Sequence, residues 1–160
     1  MIIFSSKWKN NLLKLNILQL ILMVSHSEII PLPIEKVWAH LIYKIDHPEN
    51  FVPGVSNVRI LEKTDEFVMR SMDLTSPDGL KISMLEKITF SPYLVHFLIV
   101  DHPKFNGFVD NIAEKLSENE TKLTYEINWT DKITGKVMND EMLPKKAVLK
   151  SLEFILGKFV

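Results

Sequence analysis

The 160-residue chain has no cysteine, so it cannot build a disulfide framework, a thiol nucleophile or a thiolate metal site. Glycine and proline are sparse, with 5 and 8 residues, which excludes collagenous and low-complexity chains. The glycines, at 54, 79, 107, 135 and 157, form no dinucleotide or Walker-type loop, and no serine stands in a Gly-x-Ser-x-Gly elbow. His26, His40, His47, His96 and His102 lack metal-ligand spacing, and none has the glutamate partner of a zinc protease. No metal or cofactor is expected. Arginine is rare and not interleaved with the aromatics, which argues against nucleic-acid reading. The continuous apolar run from Leu20 to Val24 is far below the ~20 residues that span a bilayer.

What the chain does have is core-forming material. Its hydrophobic share is 46% and its charged share 24%, and one domain of this size buries roughly 70% of the surface its unfolded form exposes. The net charge of -1 hides an asymmetry. Residues 1–23 carry Lys7, Lys9 and Lys14 and no acid, leaving 16 basic against 20 acidic residues in 24–160. We therefore divide the chain into a segment at 1–23 and a domain at 24–160. The first segment admits three readings: a signal-like leader, a mis-assigned start with translation beginning at Met23, or a helix that lies on a membrane or docks a partner through residues 1–24. A start at Met23 implies a cytoplasmic product; a genuine leader implies a secreted or membrane-associated one.

Along the domain, Ser27–Leu32 reads as a short strand whose Pro31 confines it to an edge or a strand end. Pro33 then opens a helix, with Ile34, Val37, Trp38, Leu41, Ile42 and Ile45 at helical spacing. A further helical turn follows from Pro48 and is closed by Pro53-Gly54. From Val58 the period changes to two and persists through six segments: 58–62, 67–74, 80–90, 94–100, 105–116 and 122–129. Their connections are too short for crossover helices, so the pairing is antiparallel. A second helix lies between Met138 or Pro144 and Phe159, with Val148, Leu149, Leu152, Ile155, Leu156 and Phe159 as its apolar stripe.

The opening Ile30-Pro31-Leu32-Pro33-Ile34-Glu35-Lys36-Val37-Trp38 and this element order resemble the START/SRPBCC superfamily, the birch-pollen-allergen-like helix-grip proteins. The stretch from His47 to Val55 is similar to its AtaL-like branch. The resemblance implies an α+β helix-grip fold. A curved seven-stranded antiparallel sheet would wrap a long C-terminal helix around an apolar cavity, with two short helices between strands 1 and 2. Members include lipid carriers, hormone receptors, and polyketide aromatases and cyclases, so no single activity is implied.

Turn chemistry sets one register. Pro77-Asp78-Gly79 reads as a three-residue hairpin loop, which pairs Leu74 with Ile82, Met72 with Met84, Arg70 with Glu86 and Val68 with Ile88. Arg70 and Glu86 are thus either an inward pair that needs mutual compensation or a half-exposed surface pair. Inward, Arg70 is a candidate receiver of a carboxylate or enolate and Glu86 a candidate proton acceptor. The next hairpin admits two registers. A two-residue loop turns Val95, Phe97 and Ile99 inward; a three-residue loop turns Leu94, His96, Leu98 and Val100 inward and makes His96 a second catalytic candidate. Tyr125 shares the apolar face with Ile127 and is either a satisfied core tyrosine or a donor to ligand.

These residues lead to a module that binds a small, mostly apolar molecule such as a lipid, polyketide or aromatic metabolite. The expected lining is Arg70, Met72, Met84, Glu86, Ile88, Tyr125, Ile127, Leu152, Ile155 and Phe159. The alternatives are a polyketide cyclase- or dehydratase-like enzyme using the same cavity, and a partner- or membrane-associated domain acting through residues 1–24.

Overall fold

In a computed structural model, described over residues 23–76 and 78–157, the domain is one seven-stranded antiparallel sheet with two helices. The strands are β1 (Val24–Ile30), β2 (Val55–Lys63), β3 (Phe67–Thr75), β4 (Lys81–Ser91), β5 (Leu94–Asp101), β6 (Phe105–Ser117) and β7 (Glu120–Asp131). Helix α1 (Ile34–Asp46) and a 3-10 turn (Pro48–Asn50) separate β1 from β2, and helix α2 (Met142–Ile155) follows β7. The expected helix-grip fold is therefore present. The sheet order is β1-β7-β6-β5-β4-β3-β2, a meander whose first strand returns to pair with the last. β1 starts three residues earlier than its sequence signals suggest, with Val24 opposite Ile127. It ends before Pro31 and is an edge strand, where a missing ladder N–H is tolerated.

The β3–β4 hairpin has the register its turn residues predict: Arg70 faces Glu86, Met72 faces Met84 and Val68 faces Ile88. Gly79 takes φ +85°, and the Ser76 and Leu80 backbones close the loop. Pro77 lies outside the described residues. The β4–β5 connection is the two-residue loop, with Ser91 opposite Leu94. Pro92 supplies the first turn position and Tyr93 adopts φ +66°. A left-handed tyrosine is uncommon, so the residue types alone left this loop ambiguous. Here the Tyr93 ring meets Trp38 edge-on at 5.9 Å, which anchors it.

Register irregularities in β2 and between Leu85 and Glu86 on β4 bend the sheet. The concave face holds two apolar clusters. One joins α1 and α2 to Val68, Ile88, Val95, Phe97, Leu123 and Tyr125; the other gathers Met72, Met84 and Ile99 with Leu74, Phe105 and Trp129. Between them runs a belt of buried charge. No helix among the described residues is long and apolar enough to cross a membrane. The expectations for residues 1–22 and for Phe159 lie outside the described residues.

Candidate functional site

The buried belt begins with Arg70 and Glu86, directly opposed on β3 and β4. Their side chains are only 2% and 8% exposed, and Arg70 Nη2 donates to Glu86 Oε2 at 2.5 Å. Of the two readings open to this pair, the inward one holds. The other terminal nitrogen of Arg70 donates to the Ile45 carbonyl at 2.6 Å and the Lys44 carbonyl at 3.3 Å. These are carbonyls of the last turn of α1, which has no intrahelical donors to spare. Arg70 thus caps a helix C-terminus with a cation while its own charge is balanced by Glu86.

A third charged group completes the belt, and the sequence analysis missed it. Lys44 is 7% exposed. Its Nζ donates to Asn111 Oδ1 at 2.8 Å and to the Tyr125 hydroxyl at 3.1 Å. Tyr125 in turn shares a 2.6 Å hydrogen bond with Ser151 of α2. The nitrogen also lies 4.2 Å from the Tyr125 ring centroid and 5.4 Å from that of Phe97. Among the described residues no carboxylate comes within ion-pairing distance of it. Burial, and next the nearby Arg70 charge, bring the Lys44 pKa down to about 7, with Glu86 opposing the shift. Burial pushes the Tyr125 pKa up, with the Ser151 hydrogen bond acting in the other direction, so the phenol keeps its proton. A signal for Lys44 did exist. Val37, Leu41, Lys44 and Pro48 recur at helical spacing and are all buried, and Lys44 occupies the edge of the stripe next to Ile45.

Beside this belt lies a cavity of about 140 Å³. Lys44, Arg70, Glu86 and Tyr125 form its polar end; Met72, Met84, Phe97, Val109, Ile127 and Trp129 form its apolar sheet wall. Leu143 and Ala147 of α2 face them, and Pro48 and Val52 close the remaining side. Val52, Leu74, Val109, Trp129, Leu143 and Ala147 are half-buried, and the remaining lining residues are buried. Among the described residues three buried side-chain nitrogens have no partner: Arg70 Nε, Asn111 Nδ2 and Trp129 Nε1. All three are donors, and Arg70 and Trp129 stand in the cavity wall.

Six expected lining residues, Arg70, Met72, Met84, Glu86, Tyr125 and Ile127, therefore surround one void. Others do not. Ile88 and Ile155 are packed in the solid core and Leu152 against it, away from the wall. The buried side of α2 runs through Pro144, Val148, Ser151 and Ile155, so the helix is rotated toward Ser151 from the stripe read in the sequence. His96 is also corrected. The two-residue loop turns Val95, Phe97 and Ile99 inward and His96 to the opposite face, where its Nδ1 lies 2.6 Å from Asp110 Oδ1. Partly exposed pairs of this kind contribute under ~1 kcal/mol. His96→Asn is accordingly expected to leave ligand affinity unchanged and to shift the urea midpoint only slightly; a calorimetric titration and an unfolding curve check both.

The fold and site define a helix-grip protein with a small, one-ended polar cavity. The model of the family described as AtaL, acetylaranotin biosynthesis cluster protein L, matches residues 25–152, and the chain belongs to that family. No curated protein matches it in sequence. Its fold is similar to that of the ZhuI aromatase/cyclase from Streptomyces sp. R1128, at TM-score 0.68 and 16% identity over 85% of this chain and 92% of that one. A START superfamily protein from Mycobacterium smegmatis aligns at TM-score 0.60 and 15% identity, covering 84% and 93% of the two chains. Major latex-like protein 151 from Panax ginseng aligns at TM-score 0.62 and 12% identity, covering 87% and 99%.

Proposed function

We propose that the protein binds a small, mostly apolar molecule in this cavity, with the polar end of the ligand toward Lys44, Arg70 and Tyr125. The void itself carries the reading. At about 140 Å³ it is close to a 150 Å³ apolar cavity known to take up benzene. One substituted ring fits inside; a longer lipid or polyketide exceeds the void. The unpartnered Arg70 and Trp129 nitrogens in the wall favour a ligand that carries a hydrogen-bond acceptor, because a buried N–H left unpaired costs about 1–3 kcal/mol.

Benzyl alcohol, titrated into the labelled protein and followed by amide NMR, is expected to shift resonances of β3, β4, β7 and the first half of α2. Ala147→Leu fills the void and is expected to abolish those shifts without unfolding the domain. Unchanged binding by Ala147→Leu would locate the site elsewhere. A cyclase- or dehydratase-like reaction in the same cavity is a second reading, favoured by the titratable Lys44. Within it, Arg70 is less free than an open guanidinium: Ile45, Lys44 and Glu86 already hold both terminal nitrogens, leaving Nε for a substrate oxygen.

A further inference from the structure

A buried lysine without a carboxylate partner is expensive to keep, because desolvation of the ammonium is not repaid by an ion pair. A methionine of similar length would fill the same space. The position of Lys44 is nevertheless specific: Asn111 and Tyr125 hold its nitrogen at the polar end of a void lined by the sheet and by both helices. The charged groups facing it are Arg70 on β3 and Glu86 on β4, and both are committed to each other. The nearest hydroxyl, Tyr125 on β7, is backed by Ser151 on α2. The unpartnered wall nitrogens are donors and call for an acceptor oxygen on whatever enters.

We infer that the cavity takes an apolar aldehyde or ketone and that Lys44 Nζ condenses with its carbonyl carbon to form an imine. The inference rests on the cavity being a ligand site and names the ligand class. The amine lone pair attacks the carbonyl carbon, the C–N bond forms, and the π pair moves to oxygen. The Tyr125 hydroxyl, which keeps its proton at neutral pH, relays a proton from nitrogen to that oxygen and gives the carbinolamine. The nitrogen lone pair then expels the hydroxyl group, which takes the second amine proton and departs as water, and the C=N bond closes. Both amine protons and the carbonyl oxygen leave together, so no oxidant or reductant enters. Arg70, the charged neighbour of Lys44 in the polar end, keeps Nε without a partner. Lys44 is the catalytic residue in this scheme; Tyr125, oriented by Ser151, passes the proton.

The low pKa of Lys44, about 7, supports the chemistry. At pH 7 its neutral, nucleophilic fraction is about a thousandfold that of a solvated lysine. The test is reductive trapping of the full chain with benzaldehyde and cyanoborohydride, followed by intact-mass and peptide mapping. One benzyl group per chain, on Lys44, is expected at pH 7, at least about a hundredfold faster than on any other lysine. Labelling of Lys44 levels off above pH 8, whereas surface lysines continue to gain reactivity toward pH 10. Tyr125→Phe slows the labelling of Lys44. Lys44→Met abolishes the specific label, while the slow labelling of surface lysines continues.

Labelling spread over surface lysines with no preference for Lys44, while benzyl alcohol binds, overturns the imine and leaves the cavity reading standing. Failure of benzyl alcohol to bind overturns both.

Discussion

Replacing Lys44 with methionine is expected to stabilise the protein at pH 7 and to remove a pH dependence that the wild type shows. In the folded state burial brings the Lys44 pKa down to about 7 from the 10.5 of an ordinary lysine. Between those values the unfolded chain holds a proton that the folded chain has released, so stability rises with pH across the window. It falls as pH drops from 10.5 toward 7, and below 7 this contribution is constant because both states are protonated. At ~1.4 kcal/mol per unit the whole span is on the order of 5 kcal/mol. Against that, methionine leaves Asn111 Oδ1 without its donor, a loss of about 1–3 kcal/mol. Tyr125 keeps Ser151. The desolvation effect wins, and the variant should gain roughly 2 kcal/mol at pH 7. Urea unfolding of both proteins at pH 6, 8 and 9.5 checks it: the difference between them should narrow as pH rises, and a constant difference would mean Lys44 is charged in the fold throughout. A residue whose removal stabilises the protein is retained for something other than stability, which accords with an amine kept for chemistry.

Arg70→Met should have the opposite effect. It removes one partner of a buried pair and strands the Glu86 carboxylate, which costs about 3–5 kcal/mol. It also strips the donor from the Ile45 and Lys44 carbonyls at the end of α1. For a chain of this size, an expected loss of ~4 kcal/mol moves the urea midpoint by roughly 2 M. Glu86→Gln should cost less, because the amide oxygen still accepts from Arg70. In the double variant Arg70→Met, Glu86→Met the stranded charge is gone, so much of the stability should return, with the α1 carbonyls accounting for the remainder. A midpoint change in Arg70→Met corresponding to under ~1 kcal/mol would mean the pair is hydrated rather than buried.

These two residues show where sequence reasoning reaches and where it stops. Arg70 and Glu86 were placed opposite each other by Pro77-Asp78-Gly79, since a three-residue loop with a left-handed glycine permits one register. The loop after Ser91 carries no glycine, and its left-handed residue is Tyr93, so His96 could not be assigned a face until Trp38 was seen against the tyrosine ring. Periodicity identified both helices but located the buried side of each only to within about one residue position. That margin separates Ser151 from Leu152 and Lys44 from the adjoining Ile45. In each case the polar residue is the buried or cavity-facing one, because a partner on another element satisfies it.

By itself, then, the order of amino acids determined an antiparallel meander, two helices and the β3–β4 register. All of these follow from local periods and turn stereochemistry, which act over a few residues. Tertiary structure alone decided that Lys44 is desolvated beside Arg70, that Asn111, Tyr125 and Ser151 meet it, and that the void is about 140 Å³. Those contacts join residues 26 to 81 positions apart. Desolvation and void volume depend on what every neighbouring element leaves unfilled, and no local pattern carries that information.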